Sequence, residues 1–423
     1  MKCAAWKKEM HEVSGPEQTK MIWMKRAKVG LMTSLVLMWM ACSANAGGLY
    51  LYEMGTEDLG LAGAGSAARA QDAATVATNP AGMTRLDGNQ LTIGIQALYG
   101  DLSYDLDNPA LQGPGNVIGW LPAASAFYSH SITDDLKLGF ALFGNFGLAL
   151  DYGDDWAGRF LVKETTMMGL TLQPSLAYRI SEKWSLGGGL GINYGIFKLT
   201  RDRLLTGEEI KLDDTDVAFN AKLGVLFEPG NRVRLGLMWA SKVKYVFDVE
   251  AQGNLAVSGM PWTLPITASV SAPQQIMFSV VTDVSERWSL LGNVGWQQWS
   301  DFSNLEVRVG DTILSPGLDL QDTWHGALGA QFKATAATRL NFGFAYDTSM
   351  YNDQNKASLT MPAGAAWRFG AGVQHQLTEK SSVGTAFQYL LSEDVVVSEP
   401  QALSGAYRDP KMYFIGLNYS YRF

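Results

Sequence analysis

The sequence predicts an all-β protein: a 14-stranded antiparallel transmembrane β-barrel with a small N-terminal helical hatch inside its lumen. Three observations predict it. The last strand alternates bulky and small residues up to the final Phe423. Fourteen segments of two-fold periodicity follow one another after Leu86. The connections between them alternate between tight and long.

From Tyr413 every second residue is bulky and apolar: Tyr413, Ile415, Leu417, Tyr419, Tyr421 and Phe423, with Phe414, Gly416, Asn418, Ser420 and Arg422 between them. Alternation puts the two sets on opposite faces of a strand. A soluble sheet seldom ends on such an edge, which would be long, sticky and unpaired. The closing strand of an outer-membrane barrel does, with aromatics at the lipid boundary. Tyr419, Tyr421 and Phe423 are therefore the expected signal to the barrel-assembly machinery.

The other end agrees. Lys25, Arg26 and Lys28 precede an apolar run over 29–40 and then Ala44-Asn45-Ala46, the layout of a secretory signal peptide. A run of twelve is too short to span a core of ~30 Å as a helix. Met21 or Met24 is a better start than Met1. Cys42 invites lipidation, but Trp39 stands where a lipobox wants a small aliphatic residue. Cleavage after Ala46 leaves 377 of the 423 residues, and both cysteines, Cys3 and Cys42, go with the leader. The mature chain then has no disulfide, thiol nucleophile or cysteine metal site. Losing seven basic and three acidic leader residues leaves 26 Lys and Arg against 38 Asp and Glu, a net charge near −12 that argues against nucleic acid. Mean hydropathy is −0.02, too low for a helical membrane protein but natural for a barrel that is apolar outside and polar inside.

The domains read as leader 1–46, hatch 47–86 and barrel 87–423. The hatch is rich in Ala and Gly, with room for short helices over 57–74, until Asn79-Pro80-Ala81-Gly82 breaks any helix. Strands are expected near 90–100, 122–132, 135–148, 165–181, 184–200, 214–229, 231–248, 270–283, 286–300, 320–334, 337–348, 364–378, 380–395 and 407–423. Lipid-facing sets include Leu340, Phe342, Phe344, Tyr346 and Trp367, Phe369, with Asn341, Gly343 and Arg368 toward the lumen. Six connections are tight, at Thr133-Asp134, Glu182-Lys183, Gly230, Val284-Ser285, Ala336 and Glu379; the other seven run from about a dozen to about twenty residues. Short turns on one side and long loops on the other mark a transmembrane barrel. Trp156, Trp184, Trp288, Trp299 and Trp324 lie near strand ends, as interface residues do. A fourteen-stranded bore leaks unless something occupies it, and 47–86 is the available stopper.

The residues of that stopper carry a resemblance. Gly48-Leu49-Tyr50-Leu51-Tyr52-Glu53, then Leu59-Gly60-Leu61-Ala62-Gly63-Ala64-Gly65-Ser66-Ala67-Ala68, Asp72-Ala73 and Asn79-Pro80-Ala81-Gly82-Met83 resemble the hatch of the FadL family of outer-membrane transporters. Weaker echoes are Asp155-Trp156-Ala157-Gly158-Arg159-Phe160, Pro174-Ser175-Leu176-Ala177-Tyr178-Arg179 and Trp296-Gln297-Gln298-Trp299-Ser300-Asp301-Phe302. The resemblance covers the whole mature chain. It implies a monomer in outer-membrane lipid and lipopolysaccharide that carries long-chain fatty acids or, in some members, aromatic hydrocarbons. It also implies an internal apolar pocket, a hatch that moves, and lateral exit beside a kink in the third strand, here Phe143, Gly144, Asn145, Phe146 and Gly147. Two glycines in that stretch weaken a strand and permit a bulge; the plainer alternative is relief of crowding in a curved wall.

Burying ~14 methylenes at about 0.8 kcal/mol each is worth on the order of 11 kcal/mol, so a loaded pocket needs a bistable element to release its cargo. The gating candidates are Gly47, Gly48 and Leu49 at the free end and Asn79, Pro80 and Ala81 at the hatch exit. The loop over 200–214 is short and charged where fatty-acid members carry a longer apolar one. The outer groove is then expected on Leu255, Met260, Trp262 and Leu264, which leaves room for a smaller cargo. Arg159, Asp347 and Arg368 are candidate contacts for a carboxylate head group.

Other chemistry finds little support. Residues 60–68 lack the strand and ribose-binding acid of a dinucleotide loop, and there is no Gly-Lys-Ser/Thr phosphate loop. His11, His130, His325 and His375 lack metal-ligand spacing, and no cofactor or catalytic group is expected. A barrel hydrolase and a general diffusion pore are the alternatives from other classes; the pore would not need a compact hatch.

Overall fold

The computed structural model describes residues 52–423 apart from 205–206, 255–260, 305, 310–311, 315–317 and 399; the side chains of 145, 252–254, 261–262, 304 and 313–314 are likewise outside the described set. Gly47, Gly48, Leu49, Leu255 and Met260 therefore lie outside the described residues.

Fourteen antiparallel strands close a barrel. In chain order they are β1 Gln90–Asp101, β2 Gly119–Ser131, β3 Leu136–Asp151, β4 Glu164–Arg179, β5 Trp184–Asp202, β6 Glu209–Gly230 and β7 Val233–Ala240. The second half comprises β8 Gln275–Asp283, β9 Trp288–Gln297, β10 Thr323–Lys333, β11 Thr338–Asp347, β12 Ala366–Gln376, β13 Ser381–Ser392 and β14 Lys411–Arg422. Each strand pairs with its sequence neighbour, and β1 pairs with β14 to seal the cylinder. No described helix is long and apolar enough to cross a membrane.

The expected alternation is present. On β14, Ile415, Leu417 and Tyr419 are exposed while Met412, Phe414 and Asn418 are buried. On β11 and β12, Phe342, Phe344, Trp367 and Phe369 face outward; Asn341 and Arg368 face the lumen. Trp184 and Trp288, at the short-turn end, lie against Phe227 and Phe332 across the ladder. Trp120, Trp324 and Trp367 occupy the opposite rim. Two belts separated by the apolar wall suit a bilayer. Trp156 and Trp299 correct the expectation: each is only 1 % exposed, inside the outer connections, because each indole N–H finds a partner there.

Strands seven and eight are shorter than expected. The chain leaves the barrel after Ala240 and re-enters at Gln275, and the intervening Val243–Asn254 and Pro261–Ala272 pair with each other outside the wall. Pro273 lacks the N–H that a continuous ladder needs. The segment 200–214 is also not a loop: β5 and β6 run on until only 203–208 connect them. Beside this projecting hairpin the outer strand Val243–Asn254 has its N–H groups bound by side chains, Val246 N–H to Asp216 and Asp248 N–H to Asp214 at 2.8 and 2.7 Å. Carboxylates thus cover an edge that would otherwise recruit another strand.

The segment ahead of β1 occupies the bore. It comprises α1 Thr56–Gly60, α2 Thr75–Thr78 and a 3₁₀ turn Pro80–Arg85, and nearly all of it is buried. Asn79-Pro80 ends one helix and also starts the next: Asn79 is extended and its side chain accepts from the Ala81 N–H. That is N-cap geometry with proline at the first helical position. Gly63 and Gly65 adopt φ of 81° and 76°, left-handed values that suit glycine and fold the chain back between the helices.

Candidate functional site

The hatch touches nearly the whole inner wall, but its attachments differ from side to side. Toward β10–β13 they are ionic. Arg368 on β12, fully buried, binds Glu53 and donates from Nε to Asp347 at 2.6 Å. Asp347 also accepts from His325 Nδ1 at 2.7 Å, Gln388 reaches Glu53, and Tyr52 stacks on the His325 ring at 4.1 Å. Behind them, Arg69 joins Asp58 at 2.6 Å and Glu57 at 3.3 Å, and Arg339 reaches Glu57 from the wall. Burial pulls the Arg69 guanidinium down, but Asp58 and Glu57 more than offset it, so it stays above its ordinary value. Removing one partner from such a buried pair costs about 3–5 kcal/mol.

Between these groups the backbones touch. A Cβ built on Gly343 would lie 1.9 Å from the Leu61 carbonyl carbon, so only glycine permits this approach. Asn293 on β9 both donates to Gly63 O and accepts from Gly65 N–H, each at 2.5 Å, which locks the left-handed turn to the wall.

Toward β3–β6 the buried attachments are mostly single donors on backbone carbonyls; nearer the periplasmic rim Arg85 pairs with Glu228, and Arg179 and Lys137 donate to the Thr84 and Leu86 carbonyls. Asn79 Nδ2 donates to Ala67 O at 2.6 Å within the hatch and to Val225 O of β6 at 3.1 Å. Gln173 donates to Val76 O at 2.7 Å and Lys222 to Ala77 O at 2.5 Å, together capping α2. Asn79, Gln173 and Lys222 thus hold this end of the segment against the wall.

The wall itself is interrupted at β3. Its register with β4 slips between Gly144 and Phe146, making Asn145 the bulged residue, and then continues to Asp151. Its register with β2 ends at Ala126 and Leu142. The upper part of β2, from Gly119, keeps only its pairing with β1. A bulge with a shortened ladder leaves backbone groups that membrane depth tolerates only where they line a cavity. A cavity of about 20 Å³ lies there, lined by Glu53, Met54, Leu121, Ser125, Phe143 and Gly144. Another of about 10 Å³ is lined by Tyr52, Met54, Met238 and Met277. Each has room for about one water. The hatch therefore sits in a packed bore at these points, with methionines, the most adaptable apolar side chains, around it.

Outside the wall, Leu264 is half-buried against Ile210, Leu212, Val249 and Ala251. This apolar patch draws on the projecting β5–β6 hairpin, which the sequence reading treated as a charged loop. Trp262 is in strand, its side chain outside the described set. The outer connections are closed by tyrosines: Tyr152 binds Tyr407, Tyr104 donates to Leu403 O at 2.7 Å and Tyr351 to Met361 O at 2.8 Å. Burial pushes the Tyr152 and Tyr407 hydroxyls above their ordinary range, which keeps them protonated donors.

The candidate head-group residues divide. Arg159, half-exposed at the outer rim, pairs with Asp202 at 3.2 Å. Asp347 and Arg368 are instead engaged with each other and with the hatch. Among residues the sequence reading passed over, Glu53, His325, Asn293 and Lys222 do most of the holding. The one signal available for the last three was a polar side chain at a lumen-facing position of an otherwise apolar strand. At the chain end, Phe423 N–H bonds Asn89 O at 3.0 Å and its ring meets Tyr421 edge-on.

A fourteen-stranded barrel with an apolar belt and a folded segment fastened in its bore has the build of an outer-membrane transport channel. The model of the outer membrane protein transport protein family (OMPP1/FadL/TodX) matches residues 37–423, and the chain belongs to that family. It is 25 % identical to the "Long-chain fatty acid transport protein" of Salmonella typhi over 89 % of this chain and 94 % of that one. It is 28 % identical to the "47 kDa outer membrane protein" of Pasteurella multocida over 90 % and 96 %. Among solved structures it matches a Pseudomonas aeruginosa FadL homologue with a TM-score of 0.75 at 19 % identity, covering 89 % of this chain and 100 % of that one. The Pseudomonas putida toluene transporter TodX matches with 0.67 at 15 %, over 90 % and 99 %. At those identities the structural likeness is one of fold. The family carries hydrophobic small molecules through the outer membrane, so the long-connection end of the barrel faces outward and the short turns face the periplasm.

Proposed function

We propose that this protein takes up long-chain fatty acids passively and releases them sideways through the wall between β2 and β3. The observation that carries this reading is the early end of the β2–β3 ladder beside the Asn145 bulge. Cargo enters over the outer apolar patch at Leu264, with Leu255, Met260 and Trp262 as further candidate contacts and Arg159 at the outer rim. It then displaces the methionine-lined contacts of the hatch start, where Gly47, Gly48 and Leu49 precede Tyr52. The turn at Asn79, Pro80 and Ala81 anchors the hatch while its neighbours shift. Cargo leaves past Phe143, Gly144, Asn145, Phe146 and Gly147. Arg368 meets a carboxylate only after releasing Glu53, with Asp347 behind it as its counter-ion. The barrel works as a monomer among lipid and lipopolysaccharide, and the assembly machinery reads Tyr419, Tyr421 and Phe423.

A smaller aromatic cargo is the second reading: the space between Tyr52, Met238 and Met277 has room for about one water, so a short ligand displaces fewer hatch contacts than a long chain. Deleting Asn145 restores an even register in β3. Oleate uptake should then fall to background while the folded barrel keeps its heat-modifiable mobility in SDS gels. Undiminished uptake by an assembled variant would sink the lateral exit. Growth on oleate against growth on toluene separates the two cargoes.

A further inference from the structure

Lys222 differs from the other enclosed cations. Arg69 holds Asp58 and Glu57, Arg368 holds Glu53 and Asp347, and Lys163 holds Asp154, Asp202 and Glu209. Lys137 also lacks a carboxylate within 4.0 Å among the described residues, but it lies near the periplasmic turns, on the Leu86 carbonyl and the Ser131 hydroxyl, away from the bulge. Lys222 is 5 % exposed, and among the described residues no carboxylate lies within 4.0 Å of its ammonium. Its contacts are the Ala77 carbonyl at 2.5 Å and the ring of Phe143, whose centre is 5.4 Å away. An ionisable side chain enclosed in a membrane barrel without a counter-ion is expensive, and such groups mark the path of a charged substrate.

Both contacts belong to parts that the proposed exit would move. Ala77 lies in α2, two residues before Asn79. Phe143 is two residues before the bulge and lines the cavity at the end of the β2–β3 ladder. Glu53 lines that cavity too, but its carboxylate is matched by Arg368 and Gln388. The ammonium is thus the unmatched charge beside the opening.

We infer that Lys222 reads the head group of the cargo: it receives the carboxylate of an anionic amphiphile on the way to the opening at β3. The inference rests on the proposed lateral exit. A carboxylate is roughly twice as strong a partner for an ammonium as a neutral carbonyl, so an arriving head group draws Lys222 away from Ala77. The ammonium then holds the head group beside Phe143 as the tail reaches the opening, while Gln173 stays on Val76. A neutral hydrocarbon offers the ammonium nothing and leaves α2 capped. Lys222 in this way favours ionised long-chain acids over neutral molecules of the same length.

The test compares oleate with oleyl alcohol, which share a tail and differ in head-group charge, using cells that carry the full-length protein. Lys222→Met keeps the apolar stem and removes the charge; Lys222→Arg keeps the charge. Oleate uptake should fall roughly tenfold in Lys222→Met, equivalent to about 1.4 kcal/mol, with oleyl alcohol uptake within about twofold of the parent on that same scale. Lys222→Arg should retain most oleate uptake. Heat-modifiable mobility in SDS gels verifies that each variant assembles. Equal loss of both cargoes in Lys222→Met would reduce the residue to a helix cap and overturn the inference, as would loss of neither. Full uptake after deletion of Asn145 would instead overturn the exit on which it rests, whatever Lys222→Met does.

Discussion

The hatch is fastened by enclosed ion pairs on one side of the barrel and mainly by single donors on carbonyls on the other, where the one ion pair among the described residues, Arg85 with Glu228, is partly exposed at the rim. Toward β10–β13, Arg368 and Arg339 hold Glu53 and Glu57 with guanidinium–carboxylate contacts, Asp347 backs Arg368, and the ladders behind them are continuous. Toward β3–β6, Asn79, Gln173 and Lys222 rest on single carbonyls, and the β2–β3 ladder stops early. Buried ion pairs are costly to break one partner at a time, whereas single hydrogen bonds to carbonyls are worth about 0.5–1.5 kcal/mol each. Under the proposed mechanism the difference sets where the hatch moves: it keeps its grip on the continuous wall and yields beside the interrupted one.

The largest expected effect comes from attacking the strong side. Arg368→Met should loosen the hatch start by about 3–5 kcal/mol, because Glu53 and Asp347 stay buried without their cation. Hydrogen exchange should then rise over 52–69 and change little over 75–85; a uniform rise would abolish the distinction between the sides. Asn79→Ala comes next. Losing both donors of the amide and its cap should cost about 1–3 kcal/mol, impair uptake of radiolabelled oleate and leave barrel assembly intact. Normal uptake by that variant would remove the turn from the gating account. Gln173→Leu is the mildest, at about 1 kcal/mol for one carbonyl contact. Its exchange should quicken in α2 alone, and protection there equal to the parent's would mean that the weak side is held by something else.

The wall was legible in the sequence because lipid and lumen impose a period of two. On β11, Phe342 and Phe344 declare one face and Asn341 the other without any tertiary information. Asn79-Pro80-Ala81 was legible as a turn, since proline dictates its neighbour's backbone, but its partners were not. Val225 is 146 positions away, and no local rule joins them. The charged residues misled for the same reason. Arg368 and Asp347 read as lumen charges open to a ligand, whereas each was matched by a distant partner. The projecting β5–β6 hairpin was missed because its charges, Arg201, Glu208 and Glu209, mask the alternation that continues through Ile210 and Leu212. Trp156 and Trp299 were misplaced because nearness to a strand end does not say whether a ring points out to lipid or inward under a folded loop.

The seam between β1 and β14 carries twelve residue pairs, and the hatch enters it through only three residues, Asp87 to Asn89. Stopper and closing joint are therefore mechanical neighbours. Any tug on the stopper toward the periplasm loads the first rung, Gln90 against Arg422, before it reaches the rest of the staves. Phe423, hydrogen-bonded to Asn89, stands at that point like a rivet.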